Sequence, residues 1–303
     1  MVKRASRLSL PATLVWFSFV CAGDPPPLRS PYAVAHDQPL DTAQRTVSET
    51  AEFTQLRVEF NGINKDRVPA FLYLPAGDVA KRPAVLLQYG SGGNKSTNYI
   101  VALGRQFIEH GFIVLTIDVP GRGERKSPDR KSPDLGNWML SNEGRELFLQ
   151  YCGDYSRAID YLISRPDVDR DRVAYVGISW GAITGVTFVA HDARVKAMAS
   201  IVGGGNFLRL AGVLAKPDNP GDMPISIDPV HHVARVAPRP LLLLNVTRDQ
   251  LVPRPFADAL HAAAGDGAKK VWLDTDHFFS TVDRGEMGET VIRFVEESLP
   301  EKK

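Results

Sequence analysis

The run Gly177-Ile178-Ser179-Trp180-Gly181 sets one hydroxyl between two glycines. A serine hydroxyl is a weak nucleophile until a neighbouring base takes its proton. The flanking glycines matter because the chain must turn sharply if that hydroxyl is to stand clear of the backbone. Upstream, Arg172-Val-Ala-Tyr-Val176 reads as an apolar strand running straight into Gly177, and Ala182 to Ala190 reads as a helix. That order also places the serine at a helix N-terminus, where the dipole favours negative charge. The chemistry this pattern predicts is acyl transfer. The bland reading of the same residues is a glycine turn with Ser179 as a simple N-cap.

Such a nucleophile needs a base, and the base needs a carboxylate to orient it. Leu241-Leu-Leu-Leu-Asn-Val246 runs into Thr247-Arg248-Asp249, and Lys270-Val-Trp-Leu273 runs into Asp274-Thr-Asp-His277. Both candidates therefore stand just past the end of a strand, in the chain order Ser179, Asp249, His277 expected of a strand–turn–helix nucleophile. Asp274 and Asp276 compete for the acid role, but each is too near His277 along one loop to face its ring easily. His110, His231, His232 and His261 read as surface or packing residues. An oxyanion hole needs backbone N–H groups. Trp180, just after the serine, is one expected donor, and Ser91 in Gly90-Ser-Gly-Gly93 is the other. Trp138, Phe207 and Phe278, together with Met139, Leu140 and Leu208, are expected to wall a compact apolar acyl site, with short acyl chains as its substrates. Arg122 and Glu124 are expected to pair with each other.

Positioning these groups requires a sheet whose strands all end at one edge. Short apolar runs alternate with longer helical stretches: Ala84–Tyr89, Phe112–Ile117, Arg172–Val176, Val195–Val202, Leu241–Val246 and Lys270–Leu273 as strands, with Glu143–Ser164 and Thr281–Ser298 among the helices. Thr54–Phe60 and Ala70–Leu74 read as an opening hairpin. Alternation of this kind predicts an α/β fold, a mostly parallel sheet with helices on both faces and its ligand crevice at the strands' carboxyl ends. Two strandless stretches, Gly121–Asn142 and Gly203–Val236, are expected to fold over that edge.

The residues then support a resemblance. The chain is similar to the α/β-hydrolase superfamily, in its dienelactone hydrolase-like and acetyl xylan esterase-like branch. The likeness rests on Gly90-Ser-Gly-Gly93, Gly177-Ile-Ser-Trp-Gly181, Asp228-Pro-Val-His-His232 running to Ala237-Pro-Arg-Pro240, Asp249 with Val252-Pro253, and His277. It covers residues from about 50 to 298 and implies an esterase with a Ser-His-Asp triad. Dienelactone hydrolases proper carry a cysteine where Ser179 stands. Related acetyl xylan esterases carry Arg-Gly-Gln and His-Glu where this chain has Arg122-Gly123-Glu124 and His277-Phe278. Neither substrate therefore carries over. A serine exopeptidase of prolyl-oligopeptidase type shares the triad order, but about 130 residues before the nucleophile strand leave no room for a propeller. A silent hydrolase fold used for binding is the remaining rival, and the intact Ser179, Asp249 and His277 speak against it.

Composition sets wider bounds. The chain has 303 residues, 44% of them hydrophobic and 23% charged, with 36 Lys and Arg against 35 Asp and Glu for a formal charge of +1. That balance predicts no nucleic-acid partner, and the expected partner is a small-molecule ester. No metal-spaced ligand cluster occurs, so no metal or organic cofactor is expected. The sequence fixes no oligomeric state. Residues 1–23 run basic, apolar, small, with Lys3, Arg4 and Arg7 ahead of Leu8 to Val20 and Ala22-Gly23 after it. This predicts a secretory signal and export to the periplasm or medium, with an apolar run too short for stable membrane insertion. Residues 24–47 are expected to be a flexible tail, and 48–303 a single hydrolase domain. Of the two cysteines, Cys21 falls in the signal and Cys152 reads as a buried small hydrophobe.

Overall fold

Leu241–Val246 is buried at every position, and so is Ile113–Ile117. Only a strand covered on both faces can bury both sides of its pleat, so these runs require helices above and below. The structure is a computed structural model and describes residues 30–77, 81–126, 142–207 and 227–301. Its strands are β1 (Ala43–Glu49), β2 (Phe53–Asn61), β3 (Arg67–Pro75), β4 (Arg82–Gln88), β5 (Ile113–Ile117), β6 (Val168–Ile178), β7 (Ala197–Ile201), β8 (Leu241–Val246) and β9 (Lys269–Leu273). The longer helices are α1 (Asn98–Glu109), α2 (Asn142–Ser164), α3 (Trp180–His191), α4 (Arg254–Ala264) and α5 (Arg284–Ser298).

All nine strands form one sheet in the order β1-β2-β3-β5-β4-β6-β7-β8-β9. β1, β2, β3 and β5 pair antiparallel, and every pair from β5 onward is parallel. From β4 the chain steps one way to β5, then crosses back to β6 and continues outward to β9. Right-handed crossovers then put α1 on one face and α2, α3 and α4 on the other. α5 returns to the first face, where Gln106 Nε2 of α1 donates to Gly285 O and His110 pairs with Glu296. The connections diverge between β4 and β6, so a crevice opens at the carboxyl ends of those two strands. The register Gln88↔Gly177 sets the loop after β4 directly beside the loop after β6.

One expected boundary is corrected. Residues 24–47 do not remain a tail throughout: β1 begins at Ala43, and Pro31 onward belongs to one compact unit with the rest. Tyr32 stacks on His191 at 4.2 Å, His36 Nδ1 lies 2.9 Å from Asp160, and Arg157 donates to Gln38 O. The segment escaped pattern reading because β1 is an edge strand exposed at nearly every residue. Its backbone ladder holds it, and no apolar period marks it. The expected signal, residues 1–23, lies outside the described residues. Among the described residues no helix is long and apolar enough to cross a membrane.

Candidate active site

Ser179 stands where β6 ends and α3 begins, with φ 53° and ψ −113°. A non-glycine residue there costs on the order of 1–3 kcal/mol and persists only when its surroundings fix it. Here they do: Ser179 N donates to Ile201 O of β7, and Ile183 N donates to Ser179 O. The two glycines have separate duties. A Cβ on Gly177 would lie 2.3 Å from Gly181 O, and one on Gly181 would lie 2.7 Å from Tyr89 O. The elbow therefore closes only with glycine at both positions. The hydroxyl makes no capping hydrogen bond, so it is not spent on the helix terminus.

His277 follows β9 and is 8% exposed. Its Nδ1 lies 2.7 Å from Asp249 Oδ2, and the Asp249 side chain is 2% exposed. The other carboxylate oxygen, Oδ1, accepts from Leu251 N and Val252 N. Those two backbone donors orient the carboxylate toward the ring. The rival acids are engaged elsewhere. Asp274 accepts from Thr247 Oγ1, and Asp276 takes Phe278 N, Ser280 N and the Ser280 hydroxyl in its own turn. Ser179 and His277 line one cavity of about 550 Å³. Among the described hydrogen bonds none joins the serine hydroxyl to the ring, so the cavity is what they share.

The loop after β4 lies against the serine, since a Cβ on Gly90 would be 3.0 Å from Ser179 Cβ. Ser91 lines the same cavity. Gly90 N–H is already given to Tyr99 Oη at 2.9 Å, which leaves Ser91 N–H as the next donor along the loop. Trp180 carries the other expected backbone donor, but its indole packs edge-on against Phe148 of α2 and does not line the cavity.

The expected acyl wall is partly corrected. Phe278 lines the cavity and is 65% exposed, whereas Phe207 stacks on Phe256 of α4 at 4.9 Å and is not part of the lining. Trp138, Met139, Leu140 and Leu208 lie outside the described residues. In their place the structure supplies Tyr99, Leu103 and Gln106 from α1 and Arg284 and Met287 from α5. Nothing in their sequence spacing distinguishes these from ordinary helix faces, because their role depends on which face the crossover turns to the sheet edge. The Arg122–Glu124 pairing is corrected as well. Glu124 bonds Arg57 of β2 and lies 2.7 Å from Lys95 Nζ, and the Arg57 hydrogen bond holds its carboxyl down to about 2.

Lys95, 3% exposed, also reaches Asp118 at the end of β5, both through Nζ at 2.5 Å and through its backbone N–H. These charges tie the loop after β4 to two strands. Asp228, from the stretch quoted for the resemblance, accepts from Asn206 N and Val230 N, and Arg239 donates to the carbonyls of Val189, Asp192 and Val195. Their work is to hold the ends of α3 and β7. Cys152 is buried in α2, and burial pushes its thiol up, away from the thiolate a nucleophile needs.

Comparison with known proteins bears on the family and the fold. The Dienelactone hydrolase family profile matches residues 68–285. YtaP of Bacillus subtilis (strain 168), named as a hydrolase, is 25% identical over 278 residues, 80% of this chain and 87% of its own. The acetyl xylan esterase of Paenibacillus sp. R4 superposes with a TM-score of 0.68 at 19% identity, covering 86% of this chain and 90% of that one. Acetyl xylan esterase 1 of Thermoanaerobacterium sp. JW/SL YS485 gives 0.68 at 18% identity, over 89% and 92%. At those identities the two structures are likenesses of fold.

Proposed function

The chain belongs to the dienelactone hydrolase family, hydrolases of carboxylic esters, and from that premise we propose that it acts through a Ser179–His277–Asp249 triad and an acyl-enzyme. Ser179 Oγ loses its proton to His277 Nε2 as it attacks the ester carbonyl, and Asp249 holds the imidazolium through Nδ1. The tetrahedral oxyanion takes hydrogen bonds from Trp180 N–H and Ser91 N–H. His277 then returns the proton to the leaving alcohol. In the second half it activates water, which releases the acid and restores the serine. The observation that carries this reading is the Asp249–His277 bond at 2.7 Å opening on the cavity that holds the strained Ser179.

The substrates are carboxylic esters with short acyl chains, acetyl to butyryl. The cavity of about 550 Å³ must hold acyl and alcohol parts together, between Leu103, Leu251, Phe278 and Met287. Each buried methylene adds about 0.8 kcal/mol until the acyl side is full. Specificity constants for p-nitrophenyl esters should therefore climb and then fall by hexanoyl. A rise continuing through decanoyl removes the short-chain reading, and faster turnover of aminoacyl nitroanilides replaces the esterase with a peptidase. We also propose that residues 1–23 direct export. Intact mass of the protein recovered from a bacterial host should show cleavage near Ala22 or Gly23, and retention of those residues on active cytoplasmic protein overturns it.

A further inference from the structure

Tyr99 occupies the first turn of α1, and its ring lines the cavity shared by Ser179 and His277. Its hydroxyl accepts the Gly90 N–H at 2.9 Å, and Gly90 is the residue pressed against Ser179. A phenol carries one proton to donate besides the lone pairs with which it accepts. Among the described residues no acceptor takes the Tyr99 proton. The approach is close: a Cβ on Gly93 would sit 3.1 Å from Tyr99 Oη, so any larger residue there would crowd the hydroxyl. Burial raises the phenol above its ordinary 10.0, which keeps the proton on the oxygen at neutral pH.

We propose that the Tyr99 hydroxyl is a third donor to the ester carbonyl oxygen, beside the backbone N–H groups of Ser91 and Trp180. The inference rests on the reading of Ser179 as nucleophile. Tyr99 would do two things with one oxygen. Its lone pair fixes Gly90 and hence the loop that carries Ser91, and its proton meets the negative charge that develops when Ser179 attacks. No proton leaves the phenol. The hydrogen bond strengthens as the carbonyl oxygen gains charge, which is why it lowers the barrier more than it tightens ground-state binding.

The test replaces Tyr99 with Phe, which keeps the ring and removes both hydrogen bonds. The variant should lose about 10- to 100-fold in kcat with KM within about threefold of the parent. Turnover of an ester and its thionoester, in which sulfur replaces the carbonyl oxygen, supplies the readout that a structural role would not move. Sulfur is a poor acceptor, so the parent should prefer the oxygen ester strongly and Tyr99→Phe should lose much of that preference. An unchanged kcat overturns the proposal. So does a fall in kcat that leaves the oxygen-to-sulfur ratio at the parental value, because Tyr99 would then only position the loop. Labelling by a fluorophosphonate separates the underlying reading. If Ser179→Ala still labels and turns over, the nucleophile assignment fails; if it does not and Tyr99→Phe behaves as the parent, only the donor assignment fails.

Discussion

His277 and His191 are both sheltered histidines held by a second titratable side chain, and the partner decides what each ring can do. His277 faces a carboxylate, Asp249, itself fixed by two backbone N–H groups. His191 faces another imidazole, His232 at 3.1 Å, under the stacked ring of Tyr32. A carboxylate orients the ring through Nδ1, whereas a second imidazole beside an arginine disfavours a proton on its neighbour. Burial first, then His232 and Arg235, push His191 down to about 4. The first arrangement suits a base that must carry charge in passing. The second suits a neutral clasp between the amino-terminal segment and α3.

The sharpest way to break this contrast is to remove each ring. His277→Ala should cost on the order of 10³-fold or more in kcat, Ser179→Ala about as much, and the double variant little beyond either single. His191→Ala should leave kcat within about twofold. Comparable losses at both histidines, in steady-state ester hydrolysis, would erase the distinction.

The next effect tests the carboxylate. Asp249→Asn keeps the shape but favours the wrong tautomer of His277, and should lower kcat by about 10² to 10⁴-fold. Asp274→Asn and Asp276→Asn should change it by less than about tenfold, since their bonds go to Thr247 and Ser280. Equal losses at the three positions would withdraw Asp249 as the orienting acid.

Acid sharpens the other side. His191 titrates near 6.5 when unfolded and near 4 when folded. As pH falls below about 6.5 the unfolded chain binds the proton first, so this site loses stability from pH 6.5 down to 4 and is neutral above. Because the ring is partly open to solvent, the loss at pH 4 should be on the order of 1 kcal/mol. Thermal melting of the parent and His191→Phe across that range should show a flatter acid limb in the variant. Parallel curves would remove His191 as the source. The smallest effect belongs to the stack: Tyr32→Ala should cost roughly 0.5–1.5 kcal/mol with kcat unchanged. A large fall in kcat would tie this clasp to the active site.

Most of the candidate site was legible because its parts obey local rules. The elbow around Ser179 announces itself through glycines that no other residue can replace, and Asp249 and His277 stand directly after apolar runs that had to be strands. The edge strand β1 was not legible, since Gln44, Arg45 and Thr46 are held by backbone pairing and carry no apolar period. Nor were the cavity walls. Phe207 and Phe278 look alike as aromatic residues in loops, yet one stacks on Phe256 and the other opens onto the site.

By itself the sequence determined the order of strands and helices from β2 onward, the glycine-flanked turn at Ser179 and the candidates for base and acid, because each depends on neighbours within a few residues. Only the tertiary structure decided which of Asp249, Asp274 and Asp276 meets the ring, that Glu124 answers to Arg57 and Lys95, and that Tyr99 stands over Gly90. Those contacts join residues 28, 67, 29 and 9 positions apart in the chain. The first exists because β8 and β9 lie side by side and end at one edge. The others exist because the chain after β5 returns over β2 and the loop after β4, while α1 starts beside that loop. Crossover handedness and sheet order set those positions, and no local pattern of side chains records them.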